Sequence, residues 1–491
     1  MHAKPREKTY AGRLAQERRR FDMVSEFDDL APIYHYWSNT YVRAMVEPLG
    51  CSSAPSFLAR YLQRSAERCG SKRPVFLSIG SGDGNNEVEI AQLLRRSGLD
   101  DFRIECLELN ASLIKRAAGE AREAGLAPYL SFVRKDFNKW RPRRTYDGIV
   151  ANQSLHHVTN LEGLFDAVRG ALAPGALFVI NDIIGRNGHQ RWPEAHHLVE
   201  RFWRKLPISH RFQHQFKRYE DRFRDWDCSA VGFEGIRAQD VLPLLLERFA
   251  FHVFIAYGNV IDPFVDRGFG PNFDATARWD RAFIDCVHAC DERALRDGYL
   301  TPTHMLAVVA NDSADSAYFA RGLTPQASVR PPERIVGEAD LDAMERALSV
   351  YFEVPPVPRG EPGEIPTPRL PLVGCIAQDG DAEGALEDGW AGLALTFSVV
   401  PERDITRLTV HATVAEGMAR GTEFAVDVDG VRVRGVPATR SLALDCPVRM
   451  LRGMKAKIRL AVGATANLKN LGLGSDERDL GFHLDDIVFE P

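Results

Sequence analysis

The chain has 491 residues, 45% of them apolar and 26% charged, with a net charge of -5 and eight dispersed cysteines. That length suffices for about three domains, and the slight acidity excludes a protein that coats nucleic acid through bulk charge. No apolar run approaches a membrane span, the first thirty residues hold arginines (Arg6, Arg13, Arg18, Arg19, Arg20) but no secretory h-region, and no paired CxxC zinc spacing occurs, so a reducing cytoplasm is expected.

Residues 1 to about 70 read as helical, with the charged, amphipathic RLAQERRRFDMVSEF followed by Tyr34-His35-Tyr36-Trp37-Ser38-Asn39. Such flat, partly polar groups suit a lid that excludes water from a ligand; they suit equally the packing of this extension onto a core. Next, Val75 to Gln92 reads VFLSIGSGDGNNEVEIAQ. Its apolar start fits a buried parallel strand, Gly80, Gly82 and Gly84 fit a tight turn, and an amphipathic helix follows from near Asn86. A strand, glycine turn and helix let backbone approach a ligand at a helix N-terminus. Asn85 follows Gly84, so the spacing is GxGxG and not the GxGxxG of a dinucleotide site.

Four further features follow in order. Phe102 to Asn110 (FRIECLELN) is a second strand ending in Glu108, a carboxylate placed to accept ribose hydroxyls. Leu130 to Val133 is a third, closed by Lys135-Asp136-Phe137. Tyr146 to Gln153 (YDGIVANQ) is a fourth and runs into Ser154-Leu155-His156-His157-Val158, and Ala176 to Ile184 (ALFVINDII) is the fifth.

The GxGxG turn with Asp83 inside it, followed by these features in this order, resembles the class I S-adenosylmethionine (SAM) dependent methyltransferases over residues 71–311. The resemblance implies a doubly wound, Rossmann-like α/β sheet of seven strands behind an N-terminal helical lid. It also implies SAM held by Ser78, Gly80, Ser81, Gly82, Asp83, Gly84, Glu108, Leu109, Asp136, Phe137, Asn152 and Gln153. One position departs from the family pattern. Ser78 stands where an acid usually meets the methionine part of the cofactor, and Glu87 is the candidate to replace it, the alternative being a simple complement to the helix dipole.

After the fifth strand, residues 187–234 are rich in Arg, His and aromatics and are expected to form a helical insertion that caps the acceptor, since ligands bind beyond the carboxyl ends of such strands. A helix over Ile236 to Arg248, a strand over Phe251 to Tyr257, a helix over Ala277 to Arg296 and a strand over Met305 to Ala310 complete the sheet. Residues 312–372 read as a connector with one short helix (Glu338 to Phe352) and seven prolines from Pro355 to Pro371. Short alternating segments from Val373 onward predict an antiparallel β-sandwich over 373–491. Its ending, Ser475 to Leu484, resembles β-sandwich modules of bacterial cell-surface polysaccharide glycosyltransferases, which implies an acceptor or partners in glycan assembly; a spacer or homo-oligomerisation domain is the alternative.

If the acceptor is a hydroxyl, a base must take its proton. His157 is the expected base with His156 or Asp182 orienting it, although the choice between the two histidines stays open. A divalent cation on Asp182 and a histidine would need a complete ligand set, which the sequence does not show. Cys286-Val-His288-Ala-Cys290 reads as a packed apolar face, and His210 and His214 as a solvated or stacked pair, in preference to metal ligands. The expected function is transfer of the SAM methyl group to a hydroxyl of a sugar or glycan precursor. A small-molecule natural-product methyltransferase and a catalytically silent SAM- or glycan-binding scaffold are the alternatives.

Overall fold

The structure is a computed structural model that describes residues 9–23, 30–216, 218–230, 232–314 and 316–355. Toward the C-terminus it describes 372–373, 376–378, 383–385, 390–401, 403–414, 422–438, 441–464, 466–467, 479–480 and 482–490. The described residues group into two compact units, one drawn from Met1–Phe202, Arg224–Asp266 and Ala275–Val354, the other from Trp203–Phe223, Arg267–Asp274 and Pro355–Pro491.

The first unit begins with α1 (Tyr10–Met23), α2 (Pro32–Trp37) and α3 (Ala54–Cys69). It continues as β1 (Val75–Ile79), α4 (Asn85–Arg96), β2 (Arg103–Glu108), α5 (Ala111–Glu123), β3 (Leu130–Arg134), β4 (Gly148–Asn152), α6 (Leu161–Ala171) and β5 (Leu177–Ile183). After α7 (Pro193–Trp203) and α8 (Ala238–Leu246) come β6 (Ala250–Tyr257), α9 (Arg278–Arg296), β7 (His304–Ala310), β8 (Tyr318–Phe319) and α10 (Glu338–Ala347). The sheet order is β8-β6-β7-β5-β4-β1-β2-β3. Only β7 runs antiparallel, pairing β5 through Leu177↔Ala310 and β6 through Ala250↔Ala310. This is the doubly wound sheet expected, and the order reverses at β1, so the carboxyl ends of β1 and β4 open onto a common crevice.

Local chemistry explains the elements. The central strands are apolar throughout because helices cover both faces, and Phe76, Leu77, Ile79, Ile149, Phe178 and Phe254 are fully buried. Each such side chain contributes about 1.5–3 kcal/mol on leaving water. Asn110 and Asn160 cap α5 and α6 by accepting from the backbone N–H of Ser112 and Gly163.

Three expectations need correction. The sheet has eight strands, because Tyr318–Phe319 adds to β6 through Val253 and Phe254. Residues 312–354 are therefore no free connector; Met344, Leu348 and Phe352 are buried, and Arg330 donates to Glu194 at 2.8 Å. These apolar groups are too few to form a core alone but enough to pack on an existing one. Most of the proline run (356–371) lies outside the described residues. The insertion over 187–234 is also less helical than expected. It holds α7, a short turn at Ile208–His210 and a two-residue hairpin pairing Phe212 with Tyr219, although Phe212, Phe216, Tyr219 and Phe223 recur at helical spacing in the sequence.

In the second unit the chain forms β9 (Trp390–Pro401), β10 (Ile405–Val414), β11 (Glu423–Val428), β12 (Val431–Pro437), β13 (Ser441–Met450), β14 (Ala456–Val462) and β15 (Phe482–Glu490), in the order β12-β11-β14-β9-β15-β10-β13. All these neighbours are antiparallel. Alternate residues such as Leu395, Phe397, Leu408, Val410, Phe424, Ile458 and Phe482 fill one apolar core, which is the alternation that predicted a sandwich. Much of the Ser475 to Leu484 ending lies outside the described residues.

Candidate functional site

At the carboxyl end of β1 the glycine turn wraps toward β2. Gly84 begins α4 with φ 82°, and a Cβ there would lie 2.6 Å from the Cβ of Ala117, so glycine alone lets α4 and α5 approach this closely. Glu108, at the tip of β2, is buried. Its Oε2 accepts from Gly82 N at 3.0 Å and its Oε1 from Leu109 N and Asn110 N, each at 2.7 Å. Burial raises its pKa against these three N–H donors. Asp83 stays local and accepts from Asn85 N at 3.3 Å. Asp136 accepts from the Tyr10 hydroxyl of α1 at 2.7 Å, and Phe137 packs half-buried against the core. Asn152 accepts from Asn181 Nδ2 at 2.7 Å, and Gln153 sits in the left-handed region at φ 50°.

Ser78 and Glu87 face one another. The Ser78 hydroxyl donates to Glu87 Oε1 at 2.7 Å, while Glu87 Oε2 is buried without a hydrogen-bond partner. Burial pushes the Glu87 carboxyl up to about 7 despite the serine bond. Helix α4 thus returns a carboxyl to the very place where β1 carries serine instead of an acid.

Beyond β4 and β5 the imidazoles of His156, His157 and His189 meet three carboxylates, Asp182, Glu234 and Glu17. Asp182 Oδ2 accepts from Ser154 N and Leu155 N at 2.8 and 2.7 Å, and its Oδ1 lies 2.7 Å from His156 Nδ1. Glu234 Oε1 lies 2.8 Å from His189 Nε2, 3.3 Å from His156 Nε2 and 3.8 Å from His157 Nε2. His157 Nδ1 lies 2.9 Å from Glu17 Oε1, and Glu17 Oε2 accepts from Phe233 N at 3.0 Å. Burial pulls the His156 imidazole down, but Asp182 and Glu234 outweigh it and push it up to about 10. Burial likewise raises Glu234, yet the three histidines hold it well below the usual carboxylate range. His189 is lowered, mainly by burial. His156 is 3% exposed and held at both nitrogens, whereas the His157 side chain is 15% exposed.

The sequence-predicted residues therefore converge, with one change of partner. Asp182 orients His156 and not His157; the residue that orients His157 is Glu17, on α1. Glu17, His189 and Glu234 escaped sequence reading. Glu17 sits in a charged helix that offers no motif, and Glu234 lies far along the chain from the histidines it joins. The lid expectation shifts as well. Trp37 donates to His288 Nδ1 at 3.2 Å and the Tyr36 hydroxyl to Asp285, so these aromatics pack on α9. Contacts to the site come instead from α1, through Tyr10, Glu17 and Arg13, which donates to the carbonyls of Ser229 and Gly232. Cys290 and His288 are buried in the α9 face, Cys286 is half-buried there, and His214 Nε2 lies 2.8 Å from Asn272 Oδ1.

The residues fit SAM on the structure's own terms. The unpartnered Glu87 Oε2 and Ser81 Oγ are buried beside the glycine turn, where an ammonium and a carboxylate would need partners. A methyltransferase-domain family profile matches residues 52–236. The chain is 30% identical over 123 residues to a sterol 24-C-methyltransferase of Aspergillus fumigatus, covering 25% of this chain and 31% of that protein. It is 29% identical over 105 residues to malonyl-[acyl-carrier protein] O-methyltransferase 2 of Ilyobacter polytropus, covering 21% and 38%. The chain thus spans about a third of the length of the curated relatives it matches. Among solved structures, geranyl diphosphate C-methyltransferase from Streptomyces coelicolor A3(2) is 14% identical, with 62% of this chain and 100% of that one covered at a TM-score of 0.33. Over residues 52–236 the chain matches a methyltransferase domain, and the motif order and the sheet topology agree with that match.

Proposed function

We propose that the chain transfers the methyl group of SAM to a hydroxyl, acting in the cytoplasm on a sugar or cell-surface glycan precursor. The cofactor would be held by Glu108 at the ribose, by Glu87, Ser78 and Ser81 at the methionine part, and by Asp136 and Phe137 at the adenine. Leu109, Asp83, the glycine turn, Asn152 and Gln153 complete that set. When bound, SAM supplies a methyl group already activated on a sulfonium.

The observation that carries the hydroxyl reading is the Glu17–His157 pair. With the Nδ1 proton directed to Glu17 at 2.9 Å, Nε2 is the basic nitrogen of that ring, and an imidazole suits proton removal near neutral pH. His156, enclosed between Asp182 and Glu234, instead braces the loop. Water is excluded by α1, whose Tyr10 and Glu17 reach the cofactor and acceptor ends respectively. The glycan preference is supported by the C-terminal resemblance, and the C-terminal domain would then bring the acceptor or pair copies of the chain.

The test uses SAM with a labelled methyl group, added with purified full-length protein to fractionated extract of the source cells. Label in polysaccharide or nucleotide-sugar fractions supports the proposal. Label among other small metabolites moves the acceptor to natural products. Binding of SAM without label anywhere rejects transfer in favour of a scaffold.

A further inference from the structure

We propose that His156, His189 and Glu234 form a binding site for a first-row divalent transition metal. The site lies beside the residues assigned to methyl transfer but does not depend on that assignment. Among the described residues, these three offer ligand atoms that all lie within 4.8 Å of one another. Glu234 Oε1 is 2.8 Å from His189 Nε2 and 3.3 Å from His156 Nε2. Ligands of a tetrahedral zinc ion stand about 3.3 Å apart, so shifts of about an ångström would complete the site.

The donor set selects the metal class. Two imidazole nitrogens and one carboxylate suit zinc, iron, cobalt or nickel, whereas magnesium and calcium prefer oxygen throughout. Three protein ligands also leave positions open for water or an acceptor oxygen. His157 Nε2, 3.8 Å from the same Glu234 oxygen, lies close to those positions.

The surroundings hold the ligands as a metal site requires. Asp182 fixes His156 through Nδ1 at 2.7 Å and is itself held by Ser154 N and Leu155 N. A carboxylate behind the far nitrogen of a ligating histidine fixes its tautomer and ring angle. His189 is aimed by its backbone. Gly188 N donates to Gly235 O at 2.8 Å, tying the His189 loop to the segment that carries Glu234. Gly188 takes φ 67°, and a Cβ there would lie 2.0 Å from Asp227 Oδ1. His189 follows in the left-handed region at φ 57°, a conformation that costs of order 1 kcal/mol outside glycine. In this conformation the ring meets Glu234 Oε1 at 2.8 Å.

Untagged full-length protein, stripped with a chelator, is titrated with Co2+ and followed by visible absorption and metal analysis. The expected result is about one Co2+ per chain, displaced by Zn2+ and not by Mg2+. His189→Gln and Glu234→Gln should each weaken binding by at least tenfold to hundredfold, while His288→Gln, in the α9 face, should retain it. X-ray absorption on the wild-type Co2+ form should report histidine nitrogen ligands, which keeps the test independent of how the variants fold. Failure to bind at about 100 µM Co2+, retention by both variants, absence of histidine ligands, or equal displacement by Mg2+ would each overturn the site. Stoichiometric Co2+ without methyl transfer would leave the metal site standing and reject the transferase reading; methyl transfer without metal binding would do the reverse.

Discussion

Glu87→Gln isolates the buried carboxyl that α4 brings to the Ser78 hydroxyl. Burial raises this carboxyl from 4.5 to about 7, which corresponds to about 3 kcal/mol. Because the folded state holds the proton more tightly than the unfolded chain, that stability is complete below pH 4.5 and is lost as pH rises through about 7. Glutamine does not titrate, so between about pH 4.5 and pH 8 the variant should gain about 3 kcal/mol relative to the native chain. Cofactor binding should run the opposite way. An ammonium partner favours the ionised carboxylate, so native SAM affinity should rise roughly eightfold from about pH 6 to about pH 7.5, below the titration of the SAM amine. Calorimetric titration of SAM at both pH values, with denaturant unfolding in parallel, measures both effects. In Glu87→Gln the affinity should be weaker and nearly flat with pH. An equal pH dependence in the two proteins would refute the assignment of Glu87 to the ammonium, and a stability difference that does not move with pH would refute the raised pKa.

Glu108→Ala should weaken SAM binding by more than tenfold, since it removes both a ribose acceptor and the partner of three backbone N–H groups; unchanged affinity in a binding titration would reject the ribose role. His157→Ala should leave SAM affinity within about twofold and slow transfer by roughly 10²–10⁴ in single-turnover assays, whereas an unaffected rate would assign the base elsewhere. Glu17→Gln should slow transfer in the same direction by a smaller factor, because it alters the hydrogen bond that orients His157. Gly84→Ala should lower stability by about 2 kcal/mol or more in denaturant unfolding, through a left-handed φ and the contact with Ala117; a neutral effect would show that α4 and α5 can separate freely.

The sheet was legible because its signals are local. Each central strand is a short apolar run next to a turn, and Gly80, Gly82 and Gly84 announce both the turn and the ligand it serves. The places of Glu108 at the end of β2 and of Asp136 just past β3 were readable for the same reason. The contact between Ser78 and Glu87 was not legible, because only the packing of α4 brings the Glu87 carboxyl to the Ser78 hydroxyl. The histidine cluster was legible in half. His156, His157 and Asp182 lie at the ends of consecutive strands, but Glu17, His189 and Glu234 arrive from a helix and two irregular loops, whose placement depends on tertiary contacts. The connector was misjudged because composition marks prolines, not the buried Leu348 and Phe352 that precede them. For the aromatics of α2 both a lid and a packing face stayed open, because a sequence cannot tell a ring facing a ligand from a ring facing a neighbouring helix.

The most direct test of the account is the position of the transferred methyl group. The labelled product is isolated from the responsive fraction and its methyl carbon assigned by NMR, with S-adenosylhomocysteine counted in the same reaction. A methyl ether and one S-adenosylhomocysteine for each methyl transferred are expected, both lost on replacing His157. A methyl group bonded to carbon, or product formation that His157→Ala leaves intact, would contradict that expectation.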